Sequence, residues 1–135
     1  MTRVRSERGA TAVEFALVLP VLLLLLLGIV EFGRVYNAQM QLTAAARDGA
    51  RVMSINSVPS QAAADAKAAT IASAIALHPD IATDQISISI SPSSTATCVP
   101  GSVATVAVSY PMQFLSGMFG ATINLTGKGV MQCSA

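Results

Sequence analysis

The sequence contains no tryptophan, one histidine (His78) and two cysteines (Cys98 and Cys133), and only 11% of its residues are charged. Each scarcity removes a class of function. A lone histidine and two distant cysteines give no Cys/His cluster with the ligand spacing of a zinc site. Aromatic residues make up 4% of the chain and are scattered, and the net charge is +1. There is thus neither a base-stacking platform nor the basic excess that holds nucleic acid. No G-x-S-x-G, H-E-x-x-H or phosphate-binding glycine loop occurs. The charged residues and histidine beyond Val52 are Asp65, Lys67, His78, Asp80, Asp84 and Lys128, and no motif links them. The chain reads as a non-enzymatic protein with no cofactor.

Apolar residues are plentiful, at 53%, and many of them lie in one block at residues 15–30. A length of 135 residues suits one small domain plus an appendage. Outside the block the chain is rich in Ala, Ser and Thr, which bury little area each, so the domain has a modest core.

The N-terminal segment decides the class. Arg3, Arg5 and Arg8, with Glu7, precede Gly9, and from there to Phe32 the ionisable groups are Glu14 and Glu31. A helix over residues 10–32 rises about 1.5 Å per residue, enough to cross a hydrocarbon core of roughly 30 Å. Basic residues ahead of the span keep the N-terminus cytoplasmic and export the C-terminal part. Three readings compete. A secretory signal peptide has this basic and apolar order but needs a small-residue cleavage site, and Gly28-Ile29-Val30-Glu31-Phe32-Gly33-Arg34 supplies none. An uncleaved signal anchor is the second. The third is a prepilin signal, cut after Gly9 with the helix retained.

Glu14 favours the third. A carboxylate inside an apolar helix is costly in lipid and wants a partner. Cleavage after Gly9 would create one, the α-amino group of Ala10, on the same or a neighbouring subunit. The plainer alternative makes Glu14 a flank at the membrane surface.

The stretch Gly9-Ala10-Thr11-Ala12-Val13-Glu14-Phe15-Ala16-Leu17, with Pro20, Gly28-Ile29-Val30-Glu31-Phe32-Gly33-Arg34 and Ala44-Ala45-Ala46-Arg47-Asp48-Gly49-Ala50-Arg51, resembles TadE-type pseudopilins of the tight-adherence (Flp) type IV pilus system. The resemblance covers roughly the first 50 residues and leaves the sister TadF type open. It implies that Gly9 precedes the processed bond and that Ala10 begins the mature chain. It also implies that Glu14, followed by Phe15, governs processing or assembly. The implied partners are a prepilin peptidase, a major Flp pilin, other minor pilins, an inner-membrane assembly platform and a secretion ATPase, with membrane lipid around the helix.

The expected organisation is a leader at 1–9, a transmembrane helix at 10–34 and an exported α+β domain at 35–135. In that domain Val35, Ala38, Leu42, Ala45, Gly49 and Val52 form a helical stripe, with Arg47, Asp48 and Arg51 beside or opposite it. A second helix is expected at 60–77, capped by Ser57 or Ser60, with Ala64, Ala68, Ile71, Ala72 and Ile75 as its apolar face. His78-Pro79-Asp80 ends it, leaving His78 exposed or as a cap. Strands are expected at 86–91, 103–110 and 122–132 in a largely antiparallel sheet, from their alternation.

In an exported domain the even cysteine count reads as one Cys98–Cys133 disulfide, against two free thiols. Placing Cys98 opposite Cys133 in a hairpin sets Val106 against Leu125, Val108 against Ile123 and Tyr110 against Ala121, with one apolar face. Met112, Phe114, Leu115, Met118 and Phe119 then fall in the connection 111–120. They either fold over the sheet or form a contact surface. The leading function is that of a minor pilin in pilus assembly, for adhesion or biofilm formation. The alternative is an unprocessed, membrane-anchored adhesion or binding module.

Overall fold

The computed structural model describes residues 4–56, 58–92, 97–115 and 122–134, with side chains from residue 9 onward. The elements are helix α1 (Val4–Ile55), helix α2 (Pro59–Ser73), a 3-10 turn (Thr83–Gln85) and strands β1 (Ile86–Ser91), β2 (Val103–Gln113) and β3 (Thr122–Gln132). This is an α+β chain with a long apolar N-terminal helix and a three-stranded antiparallel sheet in the order β1-β2-β3. It divides into two compact units, Met1–Arg34 and Val35–Ala135.

In the first unit, α1 runs through Pro20 without ending. Membrane helices tolerate such a proline, because neighbouring groups re-satisfy the freed carbonyl. The large apolar side chains here are exposed, among them Phe15, Leu17, Leu25, Ile29 and Phe32. Arg34 donates to the Glu31 carboxylate at 3.2 Å, and Glu31 is largely shielded.

In the second unit, α1 buries Ala38, Leu42, Ala45, Ala46, Gly49, Ala50 and Met53. This face meets β2, whose Val106, Val108, Tyr110 and Met112 point inward with Ile86 and Leu125 to form the main core. A second cluster joins Met53, Ala62, Ala66, Ala104 and Cys133.

Several expectations need correction. The β2–β3 register pairs Val106 with Gly129, Val108 with Gly127 and Tyr110 with Leu125. It is therefore displaced by four residues from the hairpin that sets Val106 against Leu125 and Val108 against Ile123. An even shift keeps every side chain on its face, so alternation alone does not distinguish the two. Strand β2 also continues through Pro111 to Gln113. It can do so because β1 pairs only as far as Val108, so Pro111 has no neighbour on that side. Met112 consequently belongs to the core, while Leu115 is exposed. The expectation for Met118, Phe119 and Ala121 lies outside the described residues.

Helix α2 is shorter than expected, ending at Ser73. It buries Ala62, Ala66 and Thr70, while Ala64, Ala68, Ala72 and Ile75 are exposed. An alanine-rich helix has nearly the same hydropathy all round, so close packing selects the face. Its N-cap is Val58 with Pro59 in the first turn, and no side chain caps it. Ser60 lies inside the helix, and Ser57 is outside the described residues. Asn56 organises the entry instead. Its Oδ1 accepts from the Val58 backbone N–H at 2.9 Å, and its Nδ2 donates to Asp65 at 2.8 Å.

Candidate functional site

The residues expected to govern processing lie on one helical stretch. Gly9, Ala10, Glu14 and Phe15 are all in α1 and all exposed. A Cβ built on Gly9 meets nothing within 4 Å. No intramolecular packing therefore requires glycine at that position. Ala10 and Glu14 are four residues apart, so they are neighbours on one helix face, with about 5–6 Å between Cβ atoms. Glu14 is the single charged residue in 10–30. The helix from Gly9 is long and apolar enough to cross a membrane, and its most apolar window is unburied within the chain. By length and composition this helix fits a single-pass membrane anchor.

The segment bearing Arg47, Asp48, Gly49, Ala50 and Arg51 has two sides. Gly49 and Ala50 face inward, where a Cβ on Gly49 would run into the Thr70 hydroxyl and the Ala66 carbonyl of α2. Arg47, Asp48 and Arg51 are exposed. The inward half thus joins α1 to α2, and the outward half is presented to solvent or to a partner.

Cys98 and Cys133 are joined, with Cα atoms 5.4 Å apart. Cys133 continues β3, and its N–H donates to the Ser102 carbonyl at 2.9 Å. Cys98 lies off the ladder, returned to Cys133 by a turn over 99–102. Gly101 adopts φ 89° there, a conformation open to glycine. The Ser102 hydroxyl donates to the Val99 carbonyl at 2.6 Å and accepts from the Val99 N–H at 3.1 Å. This turn consumes the four residues by which the register departs from a direct Cys98–Cys133 pairing. The Ser134 N–H donates to the Ser54 carbonyl at 3.3 Å, fixing the end of β3 to the end of α1.

His78 is exposed, with Nδ1 3.9 Å from the Asp80 carboxylate. Among the described residues no group of His, Cys, Asp and Glu could hold a metal ion. The packing positions that the sequence reading missed are Gly127 and Gly129, which bring β3 against the backbone of Leu42 and Ala46. The signal was present as the alternation Gly127-Lys128-Gly129 within a strand, a mark of close backbone approach.

No curated protein and no solved structure matches the chain. Residues 9–51 match the family model described as TadE-like protein, a family of structural pilus components. The matched segment takes in Gly9, Glu14 and the Arg47–Arg51 motif, so the chain carries a TadE-like segment with a candidate membrane span.

Proposed function

We propose that the chain is a minor pilin of a Tad (Flp) type IV pilus that acts in assembling a filament for adhesion or biofilm formation. The observation that carries this reading is the coincidence of three features on one exposed apolar helix. They are the TadE-like match at 9–51, Gly9 at the border between basic and apolar segments, and Glu14 as the single charge of the apolar stretch 10–30.

In this reading residues 1–9 are the leader and 10–34 the transmembrane helix. Residues 35–135 are the domain exported across the inner membrane, with the N-terminus cytoplasmic. A prepilin peptidase cuts after Gly9. The new α-amine at Ala10 pairs with Glu14 of the same or a neighbouring subunit and offsets the cost of a carboxylate in lipid. The exposed apolar helix packs laterally with the major Flp pilin and other minor pilins, on an inner-membrane platform driven by a secretion ATPase. The disulfide braces the exported domain, whose core includes many alanines.

The deciding experiment is the intact mass and N-terminal sequence of the protein made in its own host. A chain starting at Ala10 supports the reading. A chain starting at Met1 or Thr2, in cells with active prepilin peptidase, refutes processing and leaves an unprocessed membrane-anchored module. A start beyond Phe32 refutes the retained helix altogether.

A further inference from the structure

Within the Val35–Ala135 unit, α1 offers one face to its own domain and a different one to the outside. At 3.6 residues per turn, Leu42, Ala46 and Gly49 share one side. They meet Gly127, Gly129 and Thr70 respectively. About half a turn away, Tyr36, Met40, Ala44, Arg47, Arg51 and Ile55 fall within an arc of roughly 100°. Tyr36, Met40 and Ile55 are 61%, 58% and 60% exposed. Large apolar side chains and two guanidiniums thus share a face directed away from the sheet. Among the described residues Arg47, Asp48 and Arg51 have no side-chain hydrogen bond or ion pair, although they are near neighbours in sequence.

We propose that this face is an interface between two copies of the chain, packed in parallel and joined by reciprocal Arg47–Asp48 pairs. The parallel orientation rests on the membrane reading given above, since two copies with the same basic-before-apolar order insert the same way round. The charge pattern then selects the partner. Arg47 lies on one flank of the exposed stripe and Asp48 on the other, at nearly the same height. In a parallel two-fold pair the left flank of one helix meets the right flank of its partner. Arg47 therefore meets the partner's Asp48, and Asp48 meets the partner's Arg47. Arg51 lies nearer the middle and one turn higher. Its own counterpart lies across the axis, so its guanidinium turns aside to the same carboxylate, which can accept from both forks. Tyr36, Met40 and Ala44 fill the seam below. The domains do not obstruct the approach, because each packs on the opposite side of its helix.

The test uses the full chain in membranes, first extracted with alkaline carbonate. Release from the pellet overturns the membrane reading and, with it, the parallel premise. Retention leaves the interface to be judged by itself. Met40→Cys, oxidised in the membrane, is expected to give a cross-linked species of twice the chain mass. Ser87→Cys, on the outer face of β1, is expected not to. In the Met40→Cys background, Arg47→Asp or Asp48→Arg makes both pairs like-charged and lowers the dimer constant about tenfold, near 1.4 kcal/mol. Co-expressing the two variants, one with a larger tag, restores the mixed dimer, because each supplies the charge that the other lacks. Rescue in trans is an outcome that a folding defect in either chain would not produce. The proposal is overturned by cross-linking at Met40 no stronger than at Ser87, by a product of another mass, or by failure of the mixed pair to recover.

Discussion

Gly129 of β3 lies against the Ala46 backbone of α1, so close that a methyl group on its α-carbon would overlap the Ala46 carbonyl. Gly127 stands in the same relation to Leu42. The atoms in the way are backbone and cannot rotate aside. Gly127→Ala or Gly129→Ala must therefore push the strand off the helix, at a cost of about 1–3 kcal/mol from overpacking. That outweighs the roughly 0.4–1 kcal/mol that stiffening the unfolded chain contributes at an unstrained site. Thermal unfolding of the detergent-solubilised full chain should show a lowered midpoint for each variant. An unchanged midpoint would mean that helix and sheet are farther apart than described.

The α1–α2 contact makes a separate prediction. A Cβ at Gly49 would meet the Thr70 hydroxyl first, with the Ala66 carbonyl at 3.0 Å. The hydroxyl is held in place by its bond to that same carbonyl, at 2.8 Å. Gly49→Ala alone should destabilise by about 1–3 kcal/mol. Thr70→Ala removes the nearest obstacle, so the double variant should recover part of the loss, with a coupling of roughly 1 kcal/mol. Strict additivity in that double-mutant cycle would refute the contact.

These glycines explain which parts of the fold were legible beforehand. The existence of β1, β2 and β3 and their inward faces follow from alternation, strict in β1, because a period of two leaves no choice of face, whereas the extension of β2 through Pro111 does not. Register does not follow from it. A four-residue displacement preserves the alternation, and the choice is made by where β3 can lie flat under α1, at Gly127 and Gly129. The assumed direct opposition of Cys98 and Cys133 failed for a related reason. The turn at Gly101 stores the intervening residues outside the ladder. In α2 the alanines carry no directional signal, and contact with Gly49 decides that Ala66 and Thr70 face inward. The N-terminal segment was more legible, since the apolar run and the TadE-like pattern at 9–51 are carried by residue order alone. Helical spacing also separated Ala45 and Gly49 on the packed stripe from Arg47, Asp48 and Arg51 outside it, as the burial of these residues bears out.

The disulfide predicts a large loss on reduction. Its cysteines are 35 residues apart in sequence. Closing a loop of that length stabilises by roughly 3.5–4 kcal/mol in the chain-entropy model. Cys133 is also buried in the smaller core beside Met53 and Ala104. The Cys98→Ser/Cys133→Ser variant should therefore melt at least about 10 °C lower, given the usual few degrees per kcal/mol for a domain of this size. Thermal scans with and without reductant provide the measurement. A reductant-insensitive midpoint in the parent chain would contradict the expectation.

Glu14 separates membrane residence from assembly. It is exposed on α1 and is the single charge within the apolar stretch 10–30, so within lipid it is a cost that needs a compensating contact. Glu14→Leu removes that cost, and the variant should stay in the carbonate-resistant membrane fraction at least as well as the parent. The same change removes the carboxylate that the Ala10 α-amine would engage after cleavage. Recovery of the variant with other pilus components should then fall about tenfold or more, as expected for the loss of one charge-assisted contact. Glu14→Asp keeps the charge with a shorter reach and should fall in between. The comparison is made on sheared filaments and membranes from the same cells, probed for this chain. If Glu14→Leu enters filaments as well as the parent, the carboxylate has no part in assembly, and its position in the span must be explained by the membrane surface alone. If the variant is lost from the membrane, the apolar helix is not the anchor that its length and exposure imply.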